Sequence, residues 1–231
     1  MLQPARRNQC LRERRTCVLL SIMLLMLFAP GCSLGVMAGK MLFGDPKLEA
    51  EFTVTSGVDL ADGDHTLLIV CSTPHGIRSE HPSLEIDIVD LMTRTLETRD
   101  ISVIPSDDVS AWYDDQGEWG DFSELANHFD ADFVIHVDMD RFDYRVPDSS
   151  NLMQGVAVGR ITAFRSRDGS STATRTAFDR PFKIVFPPTY PIPRESSSDN
   201  MFVEGFKKRI ATHLSQYLYD HRASESVSLG D

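Results

Sequence analysis

Hydrophobic and polar positions along the chain follow two periods, and they predict both strands and helices. The run Thr66-Leu-Leu-Ile-Val-Cys71 is continuously apolar, which favours a central strand that is covered on both faces. From Phe133 to Met139 every second residue is apolar, and His136, Asp138 and Asp140 are polar positions between them, which predicts a strand with one solvent-exposed face. Between Leu84 and Met92 apolar residues recur at helical spacing, and Pro82 suits the first turn of that helix.

The remaining elements follow from the same kinds of signal. They are strands over residues 101–104, 155–165 and 172–186, a short helix over 121–129 and a C-terminal helix over 199–219. Asp121 and Glu124 have the form of a capping box at the start of the short helix. The turn signal Arg167-Asp-Gly169 joins the last two strands into a hairpin. The predicted order is β-α-β-α-β-β-β-α, an α/β (α+β) single domain with helices packed on a mixed sheet.

The N-terminus has the charge and hydropathy pattern of an export signal. Residues 1–16 contain five arginines and one glutamate, and Cys17–Phe28 then carries no charge. The following Ala29-Pro-Gly-Cys32 resembles the lipobox of bacterial lipoproteins, in which the cysteine is acylated and becomes the first mature residue. The resemblance implies a signal peptide over residues 1–31 and lipidation, as by palmitate, at Cys32.

Two alternatives to lipidation stay open. Thr16–Gly39 is uncharged over 24 positions and is long enough to remain as a membrane-spanning helix, or the leader is cleaved to leave a soluble form. Lipidation and a retained helix both leave the arginines in the cytoplasm and the domain on the other side. We therefore expect a membrane-anchored protein of the cell envelope that faces the periplasm, at either the inner or the outer membrane.

Composition and charge limit the function classes. The hydrophobic fraction of 42% is enough for a folded core, and the net charge of −11 argues against a nucleic-acid partner. Residues 100–148 are acidic and residues 155–183 are basic. Cross-strand pairing is the simpler explanation, and a bipolar surface that selects a partner is the alternative. Once the leader is removed, Cys71 is the only other cysteine besides Cys32, so we predict no disulfide within the chain.

Segments with weak hydrophobic patterning set the predicted boundaries of the domain. Residues 32–64 are predicted to be a tether, residues 65–220 the α/β domain and residues 221–231 a disordered tail. The turn Asp130-Ala-Asp-Phe-Val-Ile135, together with the element order, resembles the small α/β domains of envelope lipoproteins. These are the activators of penicillin-binding proteins, the curli-type secretion lipoprotein and the N-terminal domain of the Tol-Pal propeller protein. The resemblance implies an accessory role, through contact with another envelope protein or a cell-wall component.

The sequence contains no motif for a known reaction, so we expect no enzyme activity, no cofactor and no metal. His136, Asp138 and Asp140 share a strand face, but they spread over about 13 Å and cannot all reach one ion. A second possibility is a lipid-anchored hydrolase with an unrecognised carboxylate site. Aromatic residues in predicted loops are candidate contacts to a protein partner, or alternatively cover the end of the core. They are Trp112, Tyr113, Trp119 and Tyr190.

Overall fold

A mixed sheet with helices packed on both faces makes up the core of the protein. The structure is a computed structural model and describes residues 45–116, 121–166 and 175–228. The helices are α1 (Glu51–Ser56), α2 (His75–Glu80), α3 (Leu84–Glu97), α4 (Ser106–Gln116), α5 (Phe122–Phe129), α6 (Asp199–Gln216) and α7 (Ala223–Ser228). The strands are β1 (Lys47–Leu48), β2 (Thr66–Ser72), β3 (Ser102–Val103), β4 (Phe133–Arg145), β5 (Leu152–Arg165), β6 (Arg175–Phe186), β7 (Ile192–Pro193) and β8 (His221–Arg222). Short 3-10 turns occupy Leu60–Asp62 and Arg194–Ser196.

The main sheet has the order β3-β2-β4-β5-β6, with β7 added beside β5. Strand β2 pairs in parallel with β3 and β4, whereas the β4–β5 and β5–β6 pairs are antiparallel. The predicted α/β class and mixed sheet are therefore confirmed, and the predicted order is found in β2, α3, β3, α5, β4, β5, β6 and α6. The predicted turn Arg167-Asp-Gly169 lies outside the described residues.

Two core clusters lie on opposite faces of the sheet and explain the continuous apolar run of β2. Leu67 and Ile69 belong to the larger cluster, on the face that packs against α3 and α6. Leu68 and Val70 belong to the smaller cluster, which includes apolar residues of α4 and α5. Because successive side chains of a strand point to opposite faces, a strand with helices on both sides is apolar at every position.

The Asp130-Ala-Asp turn joins α5 to β4 by backbone and side-chain contacts. Asp130 ends α5 in the left-handed region with φ of 51°, which aspartate tolerates better than most residues. The Asp132 amide donates to the Thr66 carbonyl and its carboxylate accepts from the Thr66 amide, both at 2.9 Å. The turn thus fixes the start of β4 beside the start of β2.

The predicted tether over residues 32–64 is wrong for the part that the structure describes, since the compact unit begins at Lys47. Phe52 of α1 and Leu60 are fully buried in the larger core cluster. The hydrophobic pattern does not predict these elements, because a six-residue helix with one large buried side chain shows no periodicity. The predicted signal peptide over 1–31 and residues 32–44 of the tether lie outside the described residues.

The predicted tail over residues 221–231 is also corrected, because β8 and α7 occupy residues 221–228. Strand β8 pairs antiparallel with β1, and Lys47 forms an ion pair with Asp220 at 2.9 Å. The two ends of the described chain are thus held together. Among these residues, the structure contains no helix with the length and apolar composition needed to cross a bilayer.

Charged residues of β5 and β6 form a cross-strand ion pair on the exposed face of the sheet. Arg160 of β5 contacts both carboxylate oxygens of Asp179 of β6, at 2.8 and 2.6 Å. In the register of β4 and β5, Arg160 also lies opposite Asp138. The ion pair lies within the basic segment, so it does not test pairing between the acidic and basic segments. The opposition of Arg160 and Asp138 is consistent with that explanation.

Candidate functional site

A cavity of about 410 Å³ lies at the carboxyl end of β2, between helices that pack on opposite faces of the sheet. We call it the β2 cavity. Its lining comprises Ile69–Ser72 of β2, Arg78 of α2, Glu85, Ile86 and Val89 of α3, and Ser106, Val109, Ser110 and Tyr113 of α4. In open α/β sheets, ligands bind in the crevice beyond the carboxyl ends of the strands, and this cavity has that position.

The cavity exists because β3 is only two residues long. Thr66 and Leu67 of β2 pair with β3, and the Ile104 amide makes one further bond to the Leu67 carbonyl at 2.8 Å. Pro105 follows, and proline has no amide hydrogen to continue the ladder. The chain then enters α4 and leaves open the space that a longer β3 would occupy.

A charged network fixes the loop that follows β2. One oxygen of Glu85 accepts hydrogen bonds from the Thr73 amide and hydroxyl, both at 2.7 Å, and from Arg78 Nη2 at 3.1 Å. Glu85 stands in the first turn of α3, where the helix dipole favours a carboxylate. Because Arg78 and Glu85 neutralise each other, the cavity offers mainly apolar and hydroxyl groups to a ligand.

The apolar part of the lining comes from both sides of the sheet. Val89 belongs to the α3 side and Val109 to the α4 side, and both are buried. Ile86, in contrast, leaves 56% of its surface exposed while lining the cavity. An exposed apolar side chain beside a concave apolar surface is typical of a binding site.

Two further groups of the lining, Cys71 and Tyr113, are protonated at neutral pH. Burial raises the pKa of the Cys71 thiol, and the carboxylates of Glu85 and Asp138 act in the same direction. Burial also raises the pKa of the Tyr113 hydroxyl. A thiol needs its thiolate form to act as a nucleophile, so these shifts favour a lining role for Cys71.

Ser72, His136 and Asp138 form a polar cluster beside the cavity that sequence patterns did not reveal. Ser72 Oγ lies 2.8 Å from His136 Nε2 and donates to Asp138 Oδ1 at 3.1 Å. Both contacts are satisfied when Nε2–H donates to Ser72, which in turn donates to the carboxylate. The cluster forms because the parallel register of β2 and β4 places Ser72 opposite Asp138. A prediction of this register would have been needed to find the cluster from the sequence.

The sequence placed His136, Asp138 and Asp140 on one strand face, and they differ in exposure. His136 is half-buried under the ring of Phe122, at 4.9 Å between ring centroids, while both aspartates are exposed. Within the described ranges, no group of three histidine, cysteine or acidic side chains has the geometry to hold a metal ion.

Stability is expected to fall as the pH drops below the ordinary histidine pKa of 6.5. Burial lowers the pKa of His136, against the opposing effect of Asp138, and it also lowers the pKa of His81 and His213. A lowered pKa in the folded state means that stabilisation is present above pH 6.5 and is lost as the pH falls through the folded pKa. Urea unfolding at pH 7.5 and 5.5 measures the effect.

A nuclear magnetic resonance titration of the imidazole rings assigns the effect to residues. We expect the His136 ring to titrate below 6.5, and a His136→Gln variant to show a smaller loss of stability on acidification. A His136 pKa at or above the ordinary value would contradict this expectation.

The predicted partner-binding aromatics that the structure describes have different surroundings, although Trp112 and Tyr113 are in edge-on contact at 5.7 Å between ring centroids. Trp112 is 9% exposed and packs in the smaller core cluster, which favours the alternative that it covers the end of the core. The predicted loop from Trp112 is corrected, because α4 continues to Gln116. Tyr113 lines the β2 cavity, and Tyr190 is 76% exposed. The remaining two predicted site residues, Trp119 and Cys32, lie outside the described residues.

A second cavity of about 560 Å³ lies between α2 and the outer part of β4. His81 packs edge-on against Phe142 and Tyr144 in its wall, with ring centroids 4.9 and 5.9 Å apart. Charged residues of both signs, among them Glu80 and Arg145, make up much of its lining. It lacks the two-sided apolar lining of the β2 cavity.

Comparison with known proteins yields distant structural likenesses alone. No known family model and no curated protein matches the sequence. A PelC dodecamer from Paraburkholderia phytofirmans is 12% identical, with a TM-score of 0.42 over 75% of this chain and 96% of that chain. Lipoprotein GNA1162 from Neisseria meningitidis is 13% identical, with a TM-score of 0.40 over 64% and 99%.

A third similar structure is the hypothetical protein CT253 from Chlamydia trachomatis. It is 13% identical, with a TM-score of 0.38 over 67% of this chain and 97% of that chain. One of these neighbours is thus a lipoprotein by description, and all are remote in sequence. Superpositions at this level carry no function over to this chain.

Proposed function

We propose that this chain is a membrane-anchored protein of the cell envelope that binds another envelope component, without catalysis, through the β2 cavity. The observation that supports binding is the cavity itself, with buried valines from both faces of the sheet and the exposed Ile86 at its lining. The anchor is inferred from the basic leader and the lipobox-like segment that ends at Cys32.

Several features of the cavity favour binding over catalysis. The thiol of Cys71 has a raised pKa, and the Glu85 oxygen that faces Thr73 already accepts four hydrogen bonds, two from Thr73 and two from Arg78. A general acid among carboxylates usually has a raised pKa. The described carboxylates with a displaced pKa are Asp121, Asp199 and Asp220, and all three are lowered. None of these three lines the β2 cavity.

The lipid anchor is tested by metabolic labelling with an alkyne analogue of palmitate. We expect the full-length protein to take up the label and a Cys32→Ala variant to lose it. The matched control is Cys17→Ala, which removes a cysteine from the leader and should keep the label. Label that persists in Cys32→Ala, or that is lost only in Cys17→Ala, would refute acylation at Cys32.

The binding role is tested by photo-crosslinking in cells from the lining of the cavity. A photoreactive amino acid at Ile86 is expected to give a discrete adduct, because this side chain is both exposed and part of the cavity lining. The control position is Val54 on α1, which is 67% exposed and does not line the cavity. Absence of an adduct at Ile86, or the same adduct from Val54, would count against the cavity as the binding site.

A second candidate function is a lipid-anchored hydrolase, and the 2.8 Å contact between Ser72 and His136 favours it. A serine next to a histidine is the minimum arrangement for a nucleophile and its base. A fluorophosphonate probe distinguishes the two functions, because it labels activated serines covalently. We expect no labelling of Ser72. Labelling that is lost in both Ser72→Ala and His136→Ala would instead establish the hydrolase.

A further inference from the structure

We infer that the occupant of the β2 cavity is an extended peptide segment of a partner protein, which adds to the open edge of β2 as a strand. This inference rests on the proposed function and specifies the partner's chemistry. It follows from the directions of backbone groups in β2, from the place where the β2–β3 ladder stops and from the lining on either side of the edge.

The backbone groups of β2 alternate between its two neighbours. The Leu67 carbonyl accepts from Ile104 on the β3 side, whereas the Thr66 carbonyl accepts from Asp132 at the start of β4. Since N–H and C=O groups of one strand residue point to the same side, every second residue faces the same neighbour. The amides and carbonyls of Ile69 and Cys71 therefore point to the β3 side, where the cavity lies.

The pairing on the two sides of β2 is unequal in length. On the β4 side the ladder continues to Ser72, which pairs with Asp138. On the β3 side it ends at Leu67, and no described strand pairs with Ile69 or Cys71 there. Ile69 and Cys71 both line the cavity, so a ligand that enters the cavity lies beside this edge of β2. Backbone amides and carbonyls without a strand partner at this edge favour a ligand whose own backbone offers alternating hydrogen-bond donors and acceptors.

An added strand meets apolar walls on both of its faces. Its alternate side chains would point toward Val89 on the α3 side and toward Val109 on the α4 side. The open edge from Ile69 to Ser72 matches about four residues at ~3.3 Å each. Since Arg78 and Glu85 are paired with each other, no ligand charge is required. The preferred ligand is thus a short, uncharged segment with β-branched or small residues, bound by strand addition.

The test begins with a display library of random linear hexapeptides, selected against the full-length protein in detergent micelles. Peptides that bind through the cavity are expected to lose binding to Ser110→Trp, which fills the cavity, and to Ile86→Lys, which places a charge in its lining. A Met201→Lys variant changes another exposed apolar residue, which does not line the cavity, and should bind normally. Each variant is first shown to be folded by its circular dichroism spectrum.

Strand addition makes a prediction that simple apolar binding does not share. Selected peptides are resynthesised with a single N-methyl group at each position in turn. Methylation should weaken binding about tenfold at every second residue, where the amide faces β2, and little at the residues between. On binding, hydrogen exchange of the Ile69 and Cys71 amides should slow, while the Ser72 amide, on the β4 side, changes little.

The failure of this inference can be told apart from the failure of the proposed function. Equal effects of N-methylation at all positions, or unchanged exchange at Ile69 and Cys71, would overturn strand addition. The same conclusion follows if no cavity-dependent peptide is selected while the adduct from Ile86 still forms in cells, and the binding role then stands. Loss of the Ile86 adduct as well would remove the proposed function.

Discussion

Replacing Phe52 by alanine is expected to lower the free energy of unfolding by about 3–5 kcal/mol. Phe52 is fully buried, and its ring contacts Phe133 edge-on at 5.3 Å and Phe178 at 6.0 Å between centroids. Alanine leaves a cavity where three parts of the chain meet: α1, β4 and β6. Because β4 and β6 cannot collapse onto α1 without leaving the sheet, we expect the upper part of this range.

The matched control is Val54→Ala on the same helix. Val54 is 67% exposed, so the change should lie within about 0.5 kcal/mol. Equilibrium unfolding in urea, followed by circular dichroism, measures both variants. A loss below about 1 kcal/mol for Phe52→Ala would mean that α1 contributes little to the fold, as a tether would.

Removing the two carboxylates around Lys207 is expected to cost about 3–5 kcal/mol, because it leaves a buried ammonium group without a counter-ion. The Lys207 side chain is 7% exposed, and its Nζ lies 2.6 Å from Asp87 on α3 and 2.8 Å from Glu204 on α6. The test variant is the double substitution Asp87→Ala and Glu204→Ala. Lysine is almost never fully buried unless it is paired, so the ion pairs determine whether this position tolerates a lysine.

The informative control is Lys207→Met, which removes the buried charge and keeps a side chain of similar length. Its two former partners lie nearer the surface and regain water, so the expected loss is below about 1.5 kcal/mol. The ranking of the variants is therefore the prediction: the double substitution should unfold at a much lower urea concentration than Lys207→Met. The opposite order, or equal midpoints, would contradict a stabilising role for the ion pairs.

The same ion pairs predict a transition at alkaline pH. Burial by itself lowers the pKa of Lys207, but the hydrogen bonds and charges of Asp87 and Glu204 outweigh it, so the pKa is raised above 10.5. A raised pKa means that the stabilisation is complete below 10.5 and is lost as the pH rises through the folded pKa. Lys207→Met should lack this contribution to the loss of stability above pH 10.

The strongest patterns in the sequence led to correct elements. The apolar run of β2, the alternation of β4 and the stripes of α3 and α6 each bury a face that repeats over several turns or residues. Such repetition is visible without knowing what covers the face. The predicted capping role of Asp121 was also confirmed, because its side chain accepts from the Ser123 amide.

The hydrophobic pattern does not predict the short or weakly amphipathic elements. Helix α4 carries several acidic residues, and its buried side chains include only two large apolar ones, Val109 and Trp112. Helix α1 and the pair β1–β8 are shorter still, and each is held by contacts with residues far away in the sequence. A local pattern does not contain such partners, so the sequence predicts a tether over residues 32–64, whereas the compact unit begins at Lys47.

The hydrophobic pattern alone predicts the longer buried segments and the order in which they follow one another. The candidate site is visible only in the folded structure, because it depends on neighbouring elements rather than on periodicity. The β2 cavity arises where β3 ends at Val103, two residues before Pro105, while β4 continues to pair with β2 as far as Ser72. Hydrophobic periodicity indicates whether a side chain is buried or exposed to solvent. The length of a ladder and the register between distant strands are set by how the whole chain packs.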